Sequence, residues 1–107
     1  MSDDPRVVLV NTPTDHAEKI ARELVEKKLA ACVNVVPGVR SFYFWEGKLV
    51  ADDESTLLVK TRASLLPELT EAVRAVHPYR VPEVLSLVVD GGAGNPDYIA
   101  WIRSETK

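Results

Sequence analysis

Apolar residues follow two rhythms along this chain, and the switches between them mark its elements. Residues 7–10 are an unbroken run of valine and leucine, the pattern of a buried strand. After Asn11-Thr12-Pro13-Thr14-Asp15 the period lengthens, with Ala17, Ile20, Ala21, Leu24, Val25 and Leu29 recurring at helical spacing. Pro13 cannot sit inside a helix, so Thr12 or Thr14 is expected to cap this one. On its polar face Glu18 stands four residues before Arg22, and Glu23 four before Lys27, the favoured order for ion pairs.

Strand character returns at residues 33–36, and Pro37-Gly38 interrupts it as a bulge or bend does. It resumes through residues 39–45, which carry Phe42, Tyr43, Phe44 and Trp45. Glu46-Gly47-Lys48 reads as a turn, and residues 49–61 as the returning strand. The polar stretch Asp52-Asp53-Glu54-Ser55 is expected to bend away or face solvent. Ser64 is expected to cap a second helix that has Pro67 in its first turn and buries Leu66, Leu69, Val73 and Val76. His77-Pro78 ends it. Residues 84–89 form the last strand, residues 91–94 a glycine-rich loop, and Asn95-Pro96 opens a short final helix over residues 97–103.

The order βαββαβ with a short C-terminal helix predicts an α+β fold, a ferredoxin-like sandwich with a four-stranded antiparallel sheet and two helices on one face. The central hairpin is too long for a minimal version of it. Each arm reaches about 40 Å at ~3.3 Å per residue, about twice an ordinary strand. Such an overhang leaves backbone groups and aromatic rings uncovered, and pairing with further copies is the economical remedy. An oligomer built through the hairpin is therefore expected.

A length of 107 residues suits one domain, expected over residues 1–107 with its core at about 6–103. The net charge of −3 argues against nucleic acid and anionic membranes as partners, since both demand a basic patch. Cys32 is the single cysteine, so no intramolecular disulfide forms, which fits a reducing cytoplasm. The polar, acidic start of the chain has no signal-peptide core, and its apolar runs are too short to span a bilayer.

Five segments carry a resemblance: KLAACVN (residues 28–34), PGV (37–39), WEGK (45–48), KT (60–61) and HPYRVPE (77–83). In this order and spacing the chain resembles the CutA divalent-cation-tolerance family. The resemblance implies a homotrimer with an architecture like the PII signalling proteins, tolerance of copper and other divalent cations, and no catalysis. Arg80 stands where that family usually has glutamate or a polar, uncharged residue, and a guanidinium repels metal ions.

Two residue types could ligate a soft or borderline metal. Cys32 would suit copper(I) or zinc, and it equally suits a small buried position at a strand start. His77 would bind copper, zinc or nickel, and it equally suits the end of a helix, where it meets free carbonyls. His16 is expected to be merely exposed. Trp45, Tyr79 and Trp101 are costly to leave in water; they pack the core or subunit contacts, or line a cleft between subunits with Lys60 and Glu83 at its rim. Asp52, Asp53 and Glu54 read as a solvated acidic turn rather than a cation site, because alternate strand residues point to opposite faces.

Other classes lack their residues. Acylphosphatase-type chemistry needs a backbone cradle and an arginine after the first strand, and residues 11–15 contain neither glycine nor arginine. Residues 91–94 lack the lysine and hydroxyl of a phosphate loop. RNA recognition would need a basic surround for Phe42 and Phe44. Together with the resemblance, this leaves as the expected activity non-catalytic binding of a divalent cation or small molecule near subunit boundaries, with a structural, anchoring or PII-like signalling trimer as the alternative.

Overall fold

A computed structural model describes residues 3–90 and 94–107. Most of the glycine-rich loop (residues 91–93) lies outside them. Strand β1 (Pro5–Thr12) leads to helix α1 (Thr14–Glu26), and β2 (Cys32–Trp45) and β3 (Lys48–Arg62) form the hairpin. A 3₁₀ turn (Ala63–Leu65) then enters α2 (Leu66–Val76), followed by β4 (Leu85–Val88) and α3 (Pro96–Ser104). The strands pair antiparallel in the order β2-β3-β1-β4, the ferredoxin-like topology.

Register explains where the core lies. Val8 pairs with Val59 and Val10 with Leu57, and all four are fully buried on one sheet face. Ile20 and Leu24 of α1 and Leu69 and Val73 of α2 close over them. Burial of four such side chains from the helices stabilises the fold by roughly 1.5–3 kcal/mol each. The stripe read for the first helix is narrower than expected, with Val25 exposed. Leu29 is buried yet lies beyond the helix, because the chain reverses through Lys28 at φ 61° and the Leu29 N–H donates to the Leu24 carbonyl.

Capping differs from expectation at both large helices. Neither Thr12 nor Thr14 caps α1; Pro13 holds the N-cap position, and the His16 N–H donates to its carbonyl at 3.0 Å. Ser64 does not cap α2 either, since it lies in the 3₁₀ turn and its N–H donates to Asp3 Oδ1 at 3.1 Å. At α1 a backbone carbonyl thus replaces the side-chain cap, and before α2 the Asp3 carboxylate takes the free N–H of the 3₁₀ turn. Asn95 does cap α3, accepting from the Asp97 N–H at 2.9 Å.

The bulge lies at Pro37-Gly38, where two β2 residues stand opposite Ser55 alone between the pairs Val36–Thr56 and Val39–Glu54. The hairpin tip is a two-residue turn with Glu46 at φ 53° and Gly47 at φ 80°, both in the left-handed region that a type I′ turn demands. The polar stretch at residues 52–55 neither leaves the strand nor faces solvent throughout: Glu54 and Ser55 are buried. Ser55 donates to Thr14 Oγ1 at 3.1 Å, and Tyr79 donates to Glu54 at 2.8 Å, which satisfies both groups.

β1 pairs with β3 only from residue 55 onward. Residues 48–54 therefore have β2 on one side and no strand on the other. This overhang stretches the molecule to 44 × 26 × 23 Å and exposes Phe42, Phe44, Trp45 and Leu49, with Phe44 74% accessible.

Candidate functional site

A cleft of about 850 Å³ opens where the overhang leaves the sheet. Its walls come from β2 (Ser41, Tyr43, Trp45), from β3 (Glu54), from the end of β1 (Asn11) and from the segment after α2 (Tyr79, Arg80, Val81, Glu83). Asn11 pairs with Thr56 on the sheet face opposite Val10 and Leu57, and Glu54, two residues along β3, faces the same way. The segment after α2 bends through residues 78–81 and is tied to this end of the sheet by His77.

His77 is the anchor through both ring nitrogens. Nε2 lies 2.7 Å from the Asn11 carbonyl, and Nδ1 accepts from the Tyr79 N–H at 3.1 Å. This pairing requires the tautomer with its proton on Nε2 and leaves no lone pair facing outward. The ring also packs against Tyr79, with centroids 4.9 Å apart.

Two carboxylates set the electrostatics. Glu54, 4% exposed, accepts from the Tyr79 hydroxyl at 2.8 Å. Glu83 accepts from Asn11 Nδ2 at 3.3 Å. Burial, and then the nearby Glu54 charge, raise the Glu83 pKa above the usual carboxylate range. Burial and the Glu54 carboxylate likewise raise Tyr79, so its phenol stays a proton donor at neutral pH. Tyr43 donates to Asp52, which pushes the Tyr43 phenol up to about 12.

The residues singled out from the sequence fall into two groups. Trp45, Tyr79 and Glu83 line the cleft together. Cys32, Lys60 and Trp101 gather at the other end of the sheet: Cys32 pairs with Lys60, Lys60 donates to Asn34, and Trp101 stacks on Tyr98, which lies against the Cys32 thiol. Lys60 stands opposite Val7, and His77 bonds Asn11, four residues further along β1. Cys32 and His77 are thus about 13 Å apart along the sheet at ~3.3 Å per residue. His16 is only partly exposed and pairs with Asp15 at 3.0 Å. Among the described residues no three His, Cys, Asp or Glu side chains converge as a metal site. Within one copy, the donor set thus offers oxygen atoms at the cleft and an isolated thiol elsewhere.

Sequence reasoning missed Asn11 and Tyr43, and it assigned Glu54 to a solvated turn. Glu54 pairs with Val39 beside the bulge, and its hydrogen-bond donor, Tyr79, lies twenty-five residues away in sequence, so no local signal marked it.

Comparison with known proteins matches residues 6–105 to the family model "CutA1 divalent ion tolerance protein". The chain is 48% identical to the divalent-cation tolerance protein CutA of Thermus thermophilus, over 94% of this chain and 96% of that one. It is 49% identical to the chloroplastic CutA protein of Arabidopsis thaliana, again over 94% of this chain but only 55% of the relative. Among solved structures, a Thermus thermophilus Cut A1 superposes with TM-score 0.92 at 47% identity, over 96% of this chain and 99% of that one. The PII-like protein CutA of Nostoc superposes with TM-score 0.90 at 37% identity, over 95% and 97%. No helix among the described residues is long and apolar enough to cross a membrane. With a matching model across nearly all its length and relatives close to half identical, the chain belongs to the CutA1 divalent ion tolerance family.

Proposed function

We propose that the chain acts in the cytoplasm as a non-catalytic homotrimer, binding a divalent cation or a small ligand in the cleft at the foot of each hairpin, near a subunit boundary. The observation that carries this reading is the Glu54–Glu83 pair: two carboxylates share one partly enclosed cleft, and the charge of one raises the pKa of the other. A cation relieves that repulsion, and carboxylate, phenol and carboxamide oxygens suit a hard divalent ion. The trimer reading rests on residues 48–54, whose open backbone edge and uncovered aromatic rings lie beside the cleft. The non-catalytic reading is supported by the cleft's groups: Ser41 is its hydroxyl nearest to a nucleophile by type, and both nitrogens of His77 are engaged by backbone groups.

Copper would draw instead on Cys32, or on His77 if its Nδ1 gave up the Tyr79 N–H. Because these lie at opposite ends of one sheet, a copper site built on either takes its remaining donors from a neighbouring copy. The alternative is an anchoring or PII-like signalling trimer without physiological metal binding; it is favoured by the lack of three convergent donors among the described residues.

Calorimetric titration with magnesium, zinc and copper on wild type, Glu83→Gln, His77→Ala and Cys32→Ala tests these readings. Loss of binding in Glu83→Gln alone supports the cleft. Loss in His77→Ala or Cys32→Ala moves the cation to the intersubunit donors. Unchanged heats in all three variants remove every one of these residues from the account.

A further inference from the structure

The cleft carries a charge that a bare cation does not explain. Arg80 lines it together with Glu46, Glu54 and Glu83, yet none of the ion pairs among the described residues includes Arg80. One arginine and several carboxylates thus share a cavity with more than 4 Å between opposite charges. They are held apart by rigid parts: Glu54 sits on a paired strand under the Tyr79 hydroxyl, and Arg80 sits between Pro78 and Pro82 on the segment anchored by His77. A guanidinium in this place repels a naked metal ion and attracts a carboxylate. The rings of Trp45 and Tyr79 and the apolar Val81 line the same cleft.

We infer that this cleft selects a small zwitterion, a free aromatic α-amino acid, whose ammonium group meets Glu54 and Glu83, whose carboxylate meets Arg80 and whose ring lies against Trp45. The inference rests on the cleft reading above and narrows its ligand. The volume of about 850 Å³ accommodates such a molecule. The ammonium supplies the counter-charge that the Glu54–Glu83 pair lacks, and aromatic walls favour a cation as well as a ring. Arg80 adds a charge-assisted bond that neither a simple amine nor a metal ion can form.

Titration calorimetry on the full chain with three probes that share one ring tests this: L-phenylalanine carries both charges, phenethylamine only the ammonium, and 3-phenylpropionate only the carboxylate. L-Phenylalanine is expected to bind at least about tenfold more tightly than either single-charge probe, the ratio that one charge-assisted hydrogen bond supplies. Arg80→Gln should reduce L-phenylalanine to the affinity of phenethylamine and leave phenethylamine unchanged. Glu83→Gln should weaken both amines and spare 3-phenylpropionate. Equal affinities for L-phenylalanine and phenethylamine, or an Arg80→Gln variant that binds L-phenylalanine as wild type does, overturns the inference. If magnesium or zinc binds in a Glu83-dependent way while L-phenylalanine gives no heat, the zwitterion is wrong and the cleft reading stands. If neither a cation nor any probe binds, both fall.

Discussion

Tyr79 joins three parts of the molecule. Its N–H is held by His77, its ring packs on that imidazole, and its hydroxyl donates to the buried Glu54. Tyr79→Phe keeps the ring and removes the donor, so a carboxylate with little access to water loses its partner. We expect a loss of about 1–3 kcal/mol in denaturant unfolding, the usual cost of such an orphaned group. All three tyrosines, Tyr43, Tyr79 and Tyr98, have raised pKa values. The folded protein should therefore show little phenolate absorbance at pH 10, where the unfolded chain shows it clearly. The sign for stability follows: the raised phenols stabilise the fold below pH 10, and that contribution is lost as the pH climbs through their folded values. Glu83 works the same way at lower pH. Its folded pKa is raised, so stability from this group is present in acid and declines as pH rises through the raised value. A cation in the cleft competes with that proton, and cation affinity should drop as pH falls through the same range.

The hairpin depends on its turn and its bulge. Gly47 stands at φ 80° with open space where a Cβ would project, so Gly47→Ala meets backbone strain and no clash. A melting experiment should show a loss of about 1 kcal/mol, the ordinary left-handed penalty. At the other end of β3, Thr61 is fully buried and donates to the Leu29 carbonyl at 2.6 Å, which ties the strand to the reversal after α1. Thr61→Val preserves the shape and strands that carbonyl, at an expected cost of about 1–3 kcal/mol. Both changes lie outside the cleft, so ligand affinity should stay level while stability falls. The bulge matters more for function. Without the two-against-one spacing at Pro37-Gly38, Glu54 would keep its strand and lose its register with the β2 wall of the cleft.

For the molecule as a whole, the exposed hairpin and the tied termini have opposite consequences. Phe44, Trp45 and Leu49 stand on an overhang with an open backbone edge, and the proposed trimer would cover both. Light scattering on dilute protein should report three copies, and Phe44→Asp should lower that number. A single well-folded copy in wild type would remove the subunit boundary from the proposal. Arg62 secures the other side of the fold, bonding Asp3 at 2.6 Å and the Thr106 carbonyl at 3.3 Å, and also reaching the Lys107 carbonyl. The Ser64 hydrogen bond, followed by the Arg62 charge, lowers the Asp3 pKa. Stability from Asp3 is therefore full above the ordinary aspartate value and lost as pH falls through the depressed one. Asp3→Asn should flatten the acid limb of the melting-temperature profile.

Periodicity and punctuation in the sequence settled the elements, the bulge, the turn and the sandwich, because each of these depends on residues close together in the chain. The unbroken apolar run at residues 7–10 announces a buried strand, and Asn95-Pro96 announces a helix start. The cleft depended on tertiary structure. Glu54, Asn11 and Glu83 come from three separate segments, and a polar run that looks solvated becomes buried only when the segment after α2 folds across it. The same distance in sequence hid the saturation of His77, whose partners are a carbonyl sixty-six residues away and an amide two residues on. It also hid the separation of Trp101 and Lys60 from the site, since which end of the sheet a side chain occupies is decided by register between strands.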